Sequence, residues 1–263
     1  MADYVRYTVE ERVATVVIDR PPVNALSKQT LMELDAALDE LLANEGVKVI
    51  VITGAGQLAF IAGADIGEIN AIVKSEDPIA TFEMASKAGQ DLFNKIERAP
   101  KPIIAAINGP CLGGGLELAM ACHIRIAGDR ARLGHPEINL GIIPGWGGTL
   151  RLARIVGPSK ATEMILTGDQ ITAQEAKALR LVNLIVPGGE VMRQAVGLAR
   201  KIAGKSAVSV SAALAAIGAG LDADLPAGLA KEREQFARLA RSEDVREGVS
   251  AFLEKRQAQF KDR

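Results

Sequence analysis

Two glutamates, Glu117 and Glu137, stand beside the densest glycine punctuation in the chain. Glu117 follows Gly113-Gly114-Gly115, and Glu137 lies inside a second Gly/Pro-rich segment, residues 134–148. A carboxylate can take or deliver a proton, and a glycine turn lets a ligand come close to the main chain. Where such a turn opens a helix, free N–H groups and the helix dipole can hold negative charge. Together these features suit acid–base chemistry on a carbonyl compound: N–H groups steady an enolate oxygen while carboxylates move protons. A tight turn followed by a favourably placed first-turn acid contains the same residues, so the surrounding elements matter.

Residues 103–107 form a short apolar run between Pro102 and Gly109-Pro110, as expected of a buried strand, and LELAMAC after the glycines is built from helix formers. The glycine turn therefore leads from a strand into a helix. Earlier, residues 4–10 and 13–19 read as a hairpin about Glu11-Arg12, ended by Pro21-Pro22. Ser27 caps a helix over 28–44, whose Leu31, Leu34, Leu38, Leu41 and Leu42 fall at helical spacing. A buried strand follows at 47–53, then a loop of small residues at 60–66 and two helices over 67–98, interrupted at 74–78. Gly54-Ala55-Gly56 lacks the third glycine and the helix of a dinucleotide fingerprint. After Trp146-Gly147-Gly148-Thr149 come helices to 156, over 158–167 and over 173–179, the last capped by Thr172, and a final strand at 182–186. From there the pattern is helical throughout: 189–203, 207–219, 226–240 and 243–258. The chain thus divides into a β/α part, 1–190, and a helical region, 191–263.

The 263 residues are 48% apolar but only 3% aromatic, so the core is made of Ala, Val, Ile and Leu. A net charge of −1 argues against a nucleic-acid partner, and no apolar run reaches the roughly 18 residues of a membrane span. The start, MADYVRYTVEER, has no apolar core of a secretory signal, which gives a cytoplasmic expectation. Cys111 and Cys122 lack metal-ligand spacing and read as small buried hydrophobes. A Cys111 nucleophile served by His123 or His135 is the less favoured alternative.

Several separated pieces, in order, resemble the crotonase (enoyl-CoA hydratase) superfamily. They are Ala62-Gly63-Ala64-Asp65-Ile66, Asn108-Gly109, the run from Gly113 to Ala119, Pro136-Glu137-Ile138, Leu140-Gly141, Ile143-Pro144-Gly145 and Gly147-Gly148-Thr149. Arg246-Glu247-Gly248 and residues 251–256 resemble its closing helix. The likeness covers nearly the whole chain. It implies an α/β fold, a crotonase-like coiled β/α (ββα) spiral core with a C-terminal helical trimerisation region, in homotrimers often paired as hexamers. It also implies reversible syn hydration of trans-2-enoyl-CoA to 3-hydroxyacyl-CoA, as in fatty-acid β-oxidation. Coenzyme A is then part of the substrate, and neither a metal nor a separate cofactor is expected.

By the same resemblance, the backbone N–H groups of Ala64 and Gly114 form an oxyanion hole, Glu117 acts mainly as base towards water, and Glu137 delivers the C2 proton. Asn24, Ala25 and Leu26 meet the CoA nucleotide, or merely join strand to helix. Ala62, Ala64, Asp65, Ile66, Gly67, Gly113, Gly114, Pro136, Gly145 and Trp146 complete the substrate-binding set within one chain. Phe252 and Lys255 reach the CoA of a neighbouring subunit, with a solvated surface lysine as the alternative for Lys255. Asp65 reads as a cap or loop anchor, and Ile69, Ile72, Phe82 and Met84 as acyl-tail neighbours or ordinary helix packing. Trp146 either limits the acyl chain or plugs a core gap. His135 either walls the pocket and bonds Glu137 or is a polar loop residue. Burial raises a Glu117 carboxyl and a helix N-terminus lowers it, and either can prevail. Two other readings remain: an isomerase or dehydratase of the same family, and a non-catalytic CoA- or RNA-binding relative. The intact glutamate pair speaks against the second.

Overall fold

A computed structural model describes residues 2–263. Its strands are β1 (Val5–Glu10), β2 (Val13–Ile18), β3 (Val49–Gly54), β4 (Ile103–Ile107), β5 (Cys111–Leu112), β6 (Ile124–Gly128), β7 (Arg132–Gly134), β8 (Gln170–Thr172) and β9 (Leu184–Val186). The helices are α1 (Lys28–Ala43), α2 (Ile66–Val73), α3 (Pro78–Glu97), α4 (Gly114–Ala121), α5 (Gly148–Val156), α6 (Pro158–Thr167) and α7 (Ala173–Ala178). Four more close the chain: α8 (Val191–Ala203), α9 (Ala207–Asp222), α10 (Leu225–Leu239) and α11 (Glu243–Leu253).

The larger sheet runs β1-β2-β3-β4-β6-β9, parallel except for the β1–β2 hairpin. Every residue of β3 and β4 is buried. This is why these strands are unbroken apolar runs: a parallel sheet is covered on both faces. Ile50, Ile52, Ile103, Ala105 and Ile107 join Leu34, Leu38, Phe93 and Ile96 of α1 and α3 in one core. The intervening Val49, Val51, Ile104 and Ala106 meet Val191, Ala195 and Ala199 of α8 on the other face. A second sheet, β5-β7-β8, is built of strands only two or three residues long.

Local signals act where they stand. The Ser27 side chain accepts the Thr30 N–H at the start of α1, and Thr172 and Glu175 form a capping box on α7. The final helix departs from expectation. It stops at Leu253 rather than 258, because Lys255 turns left-handed (φ 54°) and the Arg256 guanidinium forks back onto Glu247 and Glu254. The last strand likewise starts at Leu184, where 182 was expected, since the Asn183 side chain binds the Arg125 N–H. Among the described residues no single helix is long and apolar enough to cross a membrane.

Candidate active site

Three loops leave the carboxyl ends of the adjacent parallel strands β2, β3 and β4, the usual place for a ligand in such a sheet. Short backbone bridges sew them together. Leu26 pairs in parallel with Ala64, donating to Gly63 O (2.8 Å) and accepting from Asp65 N (2.9 Å). In that arrangement the flanking peptides are used and the N–H of Ala64 itself points away from Leu26. Ile61 pairs in parallel with Cys111, and Leu112 N donates to Ile61 O (3.0 Å). Three residues past each member of this second bridge stand Ala64 and Gly114, and between them Gly63 lies close to Leu112 and Gly113. Gly114 opens α4, where the first N–H groups have no partner within the helix.

Glu137 enters through a third strand in the same register. Leu112 pairs with Gly134, and Gly113 N donates to Gly134 O at 2.9 Å. The short 3-10 helix Pro136–Leu140 then carries Glu137 back onto the glycine loop. Gly113 adopts φ 51°, a conformation that favours glycine, and a Cβ there would stand 2.8 Å from Glu137 Oε1 and push that carboxyl aside.

Glu117, in the first turn of α4, is only 2% exposed. Its Oε1 accepts the N–H groups of Trp146 (2.8 Å) and Gly148 (2.7 Å) at the start of α5. Burial prevails in setting its affinity for protons, raising the carboxyl to about 7. His135 and the two N–H groups pull it down, and Glu137 adds to the rise. His135 is fully buried beside both glutamates, its Nδ1 3.6 Å from Glu137 Oε2.

The other expected site residues fall into three groups. Ala62, Ala64, Gly113, Gly114 and Pro136 are half-buried or buried around the glutamates, while Ile66, Gly67 and Gly145 are exposed at the rim. Asn24 is buried as a clamp between loops, its Nδ2 donating to Ala55 O (2.9 Å) and Ala59 O (3.1 Å), with Ala25 and Leu26 following it. Asp65 caps α2 through the Glu68 N–H and pairs with Arg20, and both contacts hold its carboxyl below the usual value. Phe252 (83% exposed) and Lys255 lie in α11 and the turn after it, outside these loops.

Trp146 fills the gap between α3 and α4. Its Nε1 donates to Ala85 O (3.2 Å), and its ring meets Phe93 edge-on at 5.7 Å. Atoms of the indole stand 2.3 Å and 2.4 Å from where Cβ atoms on Gly89 and Gly114 would lie. It is therefore a core plug that also borders Gly114. Sequence reasoning missed the backbone donors of Trp146 and Gly148. The one available signal was the Gly147-Gly148 pair before a helix.

Both thiols are buried and hold their protons: burial pushes Cys122 up to about 12 and raises Cys111 as well. His123 Nδ1 accepts the Ile103 N–H (2.9 Å), so it does not serve as a base for Cys111.

Residues 8–263 match the sequence model of the enoyl-CoA hydratase/isomerase family. A probable enoyl-CoA hydratase of Bacillus subtilis is 46% identical over 254 residues, 96% of each chain. A short-chain-enoyl-CoA hydratase of Clostridium acetobutylicum is 41% identical over 256 residues, covering 97% of this chain and 96% of that one. The crystal structure of an enoyl-CoA hydratase from Bacillus anthracis superposes with a TM-score of 0.93 at 37% identity, over 99% of this chain and 100% of that one. Agreement of sequence and fold over these lengths places the chain in the enoyl-CoA hydratase/isomerase family.

Proposed function

We propose that the chain adds water reversibly across the double bond of trans-2-enoyl-CoA thioesters, giving 3-hydroxyacyl-CoA. The observation that carries this reading is the meeting of two carboxyl groups, Glu117 and Glu137, at one glycine loop, with Ala64 and Gly114 each three residues past the Ile61–Cys111 bridge. The thioester carbonyl makes C3 electrophilic. Water held between the glutamates attacks C3 and gives a proton to Glu117, and the π electrons pass into an enolate. The N–H groups of Ala64 and Gly114 hold the enolate oxygen, a pair in which losing one donor typically costs about 3–4 kcal/mol. Glu137 delivers its proton to C2, and after the product leaves, the proton on Glu117 passes to Glu137 through the next water to enter, which restores both carboxyls. Both groups arrive from the side of the glutamates, hence syn addition.

A Glu117 carboxyl near 7 suits this role. It is a stronger base than an ordinary glutamate yet is still partly ionised at neutral pH. Addition and proton transfer need only these groups, so in this reading coenzyme A enters as part of the substrate and no further cofactor takes part. Assembly into trimers or hexamers accompanies the proposal. Neither α9 nor α10 contains a buried residue, and Ile217, Leu221, Leu225 and Phe236 are exposed along them, a surface that further copies of the chain would cover. Phe252 and Lys255 would then reach a neighbour's CoA.

The test follows loss of enoyl-thioester absorbance with crotonyl-CoA. Wild type turns over, and Glu117→Gln and Glu137→Gln each fall by about two to four orders of magnitude while still binding acyl-CoA. An idle wild type that binds acyl-CoA would point to another substrate, and isomerisation of a 3-enoyl-CoA without hydration to the isomerase branch.

A further inference from the structure

Two neighbouring side chains hold three buried polar atoms without partners. Neither Nδ1 nor Nε2 of the fully buried His135 ring is hydrogen-bonded, and the buried Oε2 of Glu137 has no partner either. Such atoms are rare in folded chains, because each has given up water for nothing. Here Nδ1 and Oε2 stand 3.6 Å apart, a few tenths of an ångström beyond a hydrogen bond. One small movement satisfies both.

The two oxygens of Glu137 are thereby divided. Oε1 lies against the glycine loop, 2.8 Å from where a Cβ on Gly113 would stand, and Oε2 faces the imidazole. Glu117 is the other ionisable group that faces His135: a Cβ on Gly148 would meet His135 Cε1 at 2.8 Å and Glu117 Cγ at 2.9 Å. The second histidine is built the opposite way. His123 Nδ1 accepts the Ile103 N–H, which leaves its proton on Nε2.

We propose that His135 is the positioning residue of Glu137, held as the Nδ1–H tautomer and donating to Oε2 so that Oε1 stays turned to the glycine loop. The contact rests on geometry alone; its effect on turnover rests on the hydration reading above. A carboxyl fixed in this way presents the same oxygen in every cycle. When Glu137 gives up its proton the acceptor becomes an anion, and an N–H bond to an anion is the stronger one. The contact therefore favours the state after proton delivery.

Two measurements decide it. Long-range proton–nitrogen spectra of protein labelled at its two histidines should show one ring protonated at Nε2 and the other at Nδ1. The Nδ1-protonated set should vanish in His135→Gln and shift in Glu137→Gln. An Nε2–H tautomer for His135, or no response to Glu137→Gln, overturns the proposal. In the hydration assay His135→Leu should lower kcat by about tenfold to a hundredfold, with KM changed less than about threefold. His135→Gln, which keeps an N–H donor, should recover most of the loss. Equal activity of the Leu and Gln variants overturns the positioning role. A wild type that does not hydrate crotonyl-CoA sinks the proposed function, while the spectra still decide the His135 contact.

Discussion

Glu117 Oε1 accepts two main-chain N–H groups, those of Trp146 at 2.8 Å and Gly148 at 2.7 Å. The carboxyl of α4 is thus tied to the turn before α5. Yet burial still carries it from the ordinary 4.5 to about 7. Two donated bonds do not offset the loss of water around a charge.

This has a pH signature in stability. Because the folded value is the higher one, the folded chain keeps a proton that the unfolded chain releases. The stability from this group is complete below about pH 4.5 and is lost as pH rises through about 7, up to about 3 kcal/mol. Glu117→Gln keeps an oxygen for both N–H groups and removes the charge. Its thermal midpoint should exceed that of wild type at pH 8 and match it near pH 4.5. An equal difference at both pH values would refute the assignment.

The same value bears on rate. If ionised Glu117 is the base, kcat/KM for crotonyl-CoA should fall on the acid side with a midpoint near 7. A profile flat from about pH 5.5 to about 8.5, more than a unit either side of that midpoint, would assign the base elsewhere.

Gly89 and Trp146 should be strongly coupled. A Cβ on Gly89 would stand 2.3 Å from Trp146 Cδ1, so Gly89→Ala alone should destabilise by about 1–3 kcal/mol through overpacking. With the indole removed, the same change in a helix interior should be neutral or stabilising by up to about 1 kcal/mol. A double-mutant cycle in urea checks this, and additive effects would mean that the ring moves aside.

Trp146 also borders Gly114, so removing its ring opens space next to the loop that would hold the thioester oxygen. Trp146→Ala should shift the ratio of kcat/KM for octenoyl-CoA over crotonyl-CoA upward. An unchanged ratio would leave the indole as a core plug only.

The thiols should be silent. With Cys122 near 12 and Cys111 raised, both buried, iodoacetamide at pH 8 should modify neither in the folded chain and both in urea. Alkylation of the native chain together with lost turnover would restore a reactive cysteine.

The parts of the fold that depend on side-chain pattern were readable. The apolar runs of β3 and β4, the leucine spacing of α1 and the caps at Ser27, Asp65 and Thr172 each write their own signal. β5, β7 and β8 do not. They are two or three residues long and exist because Gly/Pro-rich backbone finds backbone across the chain. β6 was hidden by Arg125, a charged residue in a strand. That side chain is buried to bind carbonyl groups of Ala119 and Cys122 at the end of α4 and of Leu181. At the site, glutamates and glycines announced themselves by type. The N–H groups that anchor Glu117 belong to the main chain, which every residue shares, so no letter marks them.

Ala64 and Gly114 stand at equal steps beyond the Ile61–Cys111 bridge. Their placement therefore leans on backbone pairing, with the Asn24 amide clamping the loop that leads to Ala64. Point substitutions in α2, α3 or at Trp146 can reshape the neighbourhood without moving that gauge. Inserting or deleting one residue in either strand would displace one N–H by about 3.3 Å and turn it to the opposite face. In the proposed reading, selectivity can thus drift letter by letter, while the spacing of the two proposed donors responds most to a chain that is cut or lengthened.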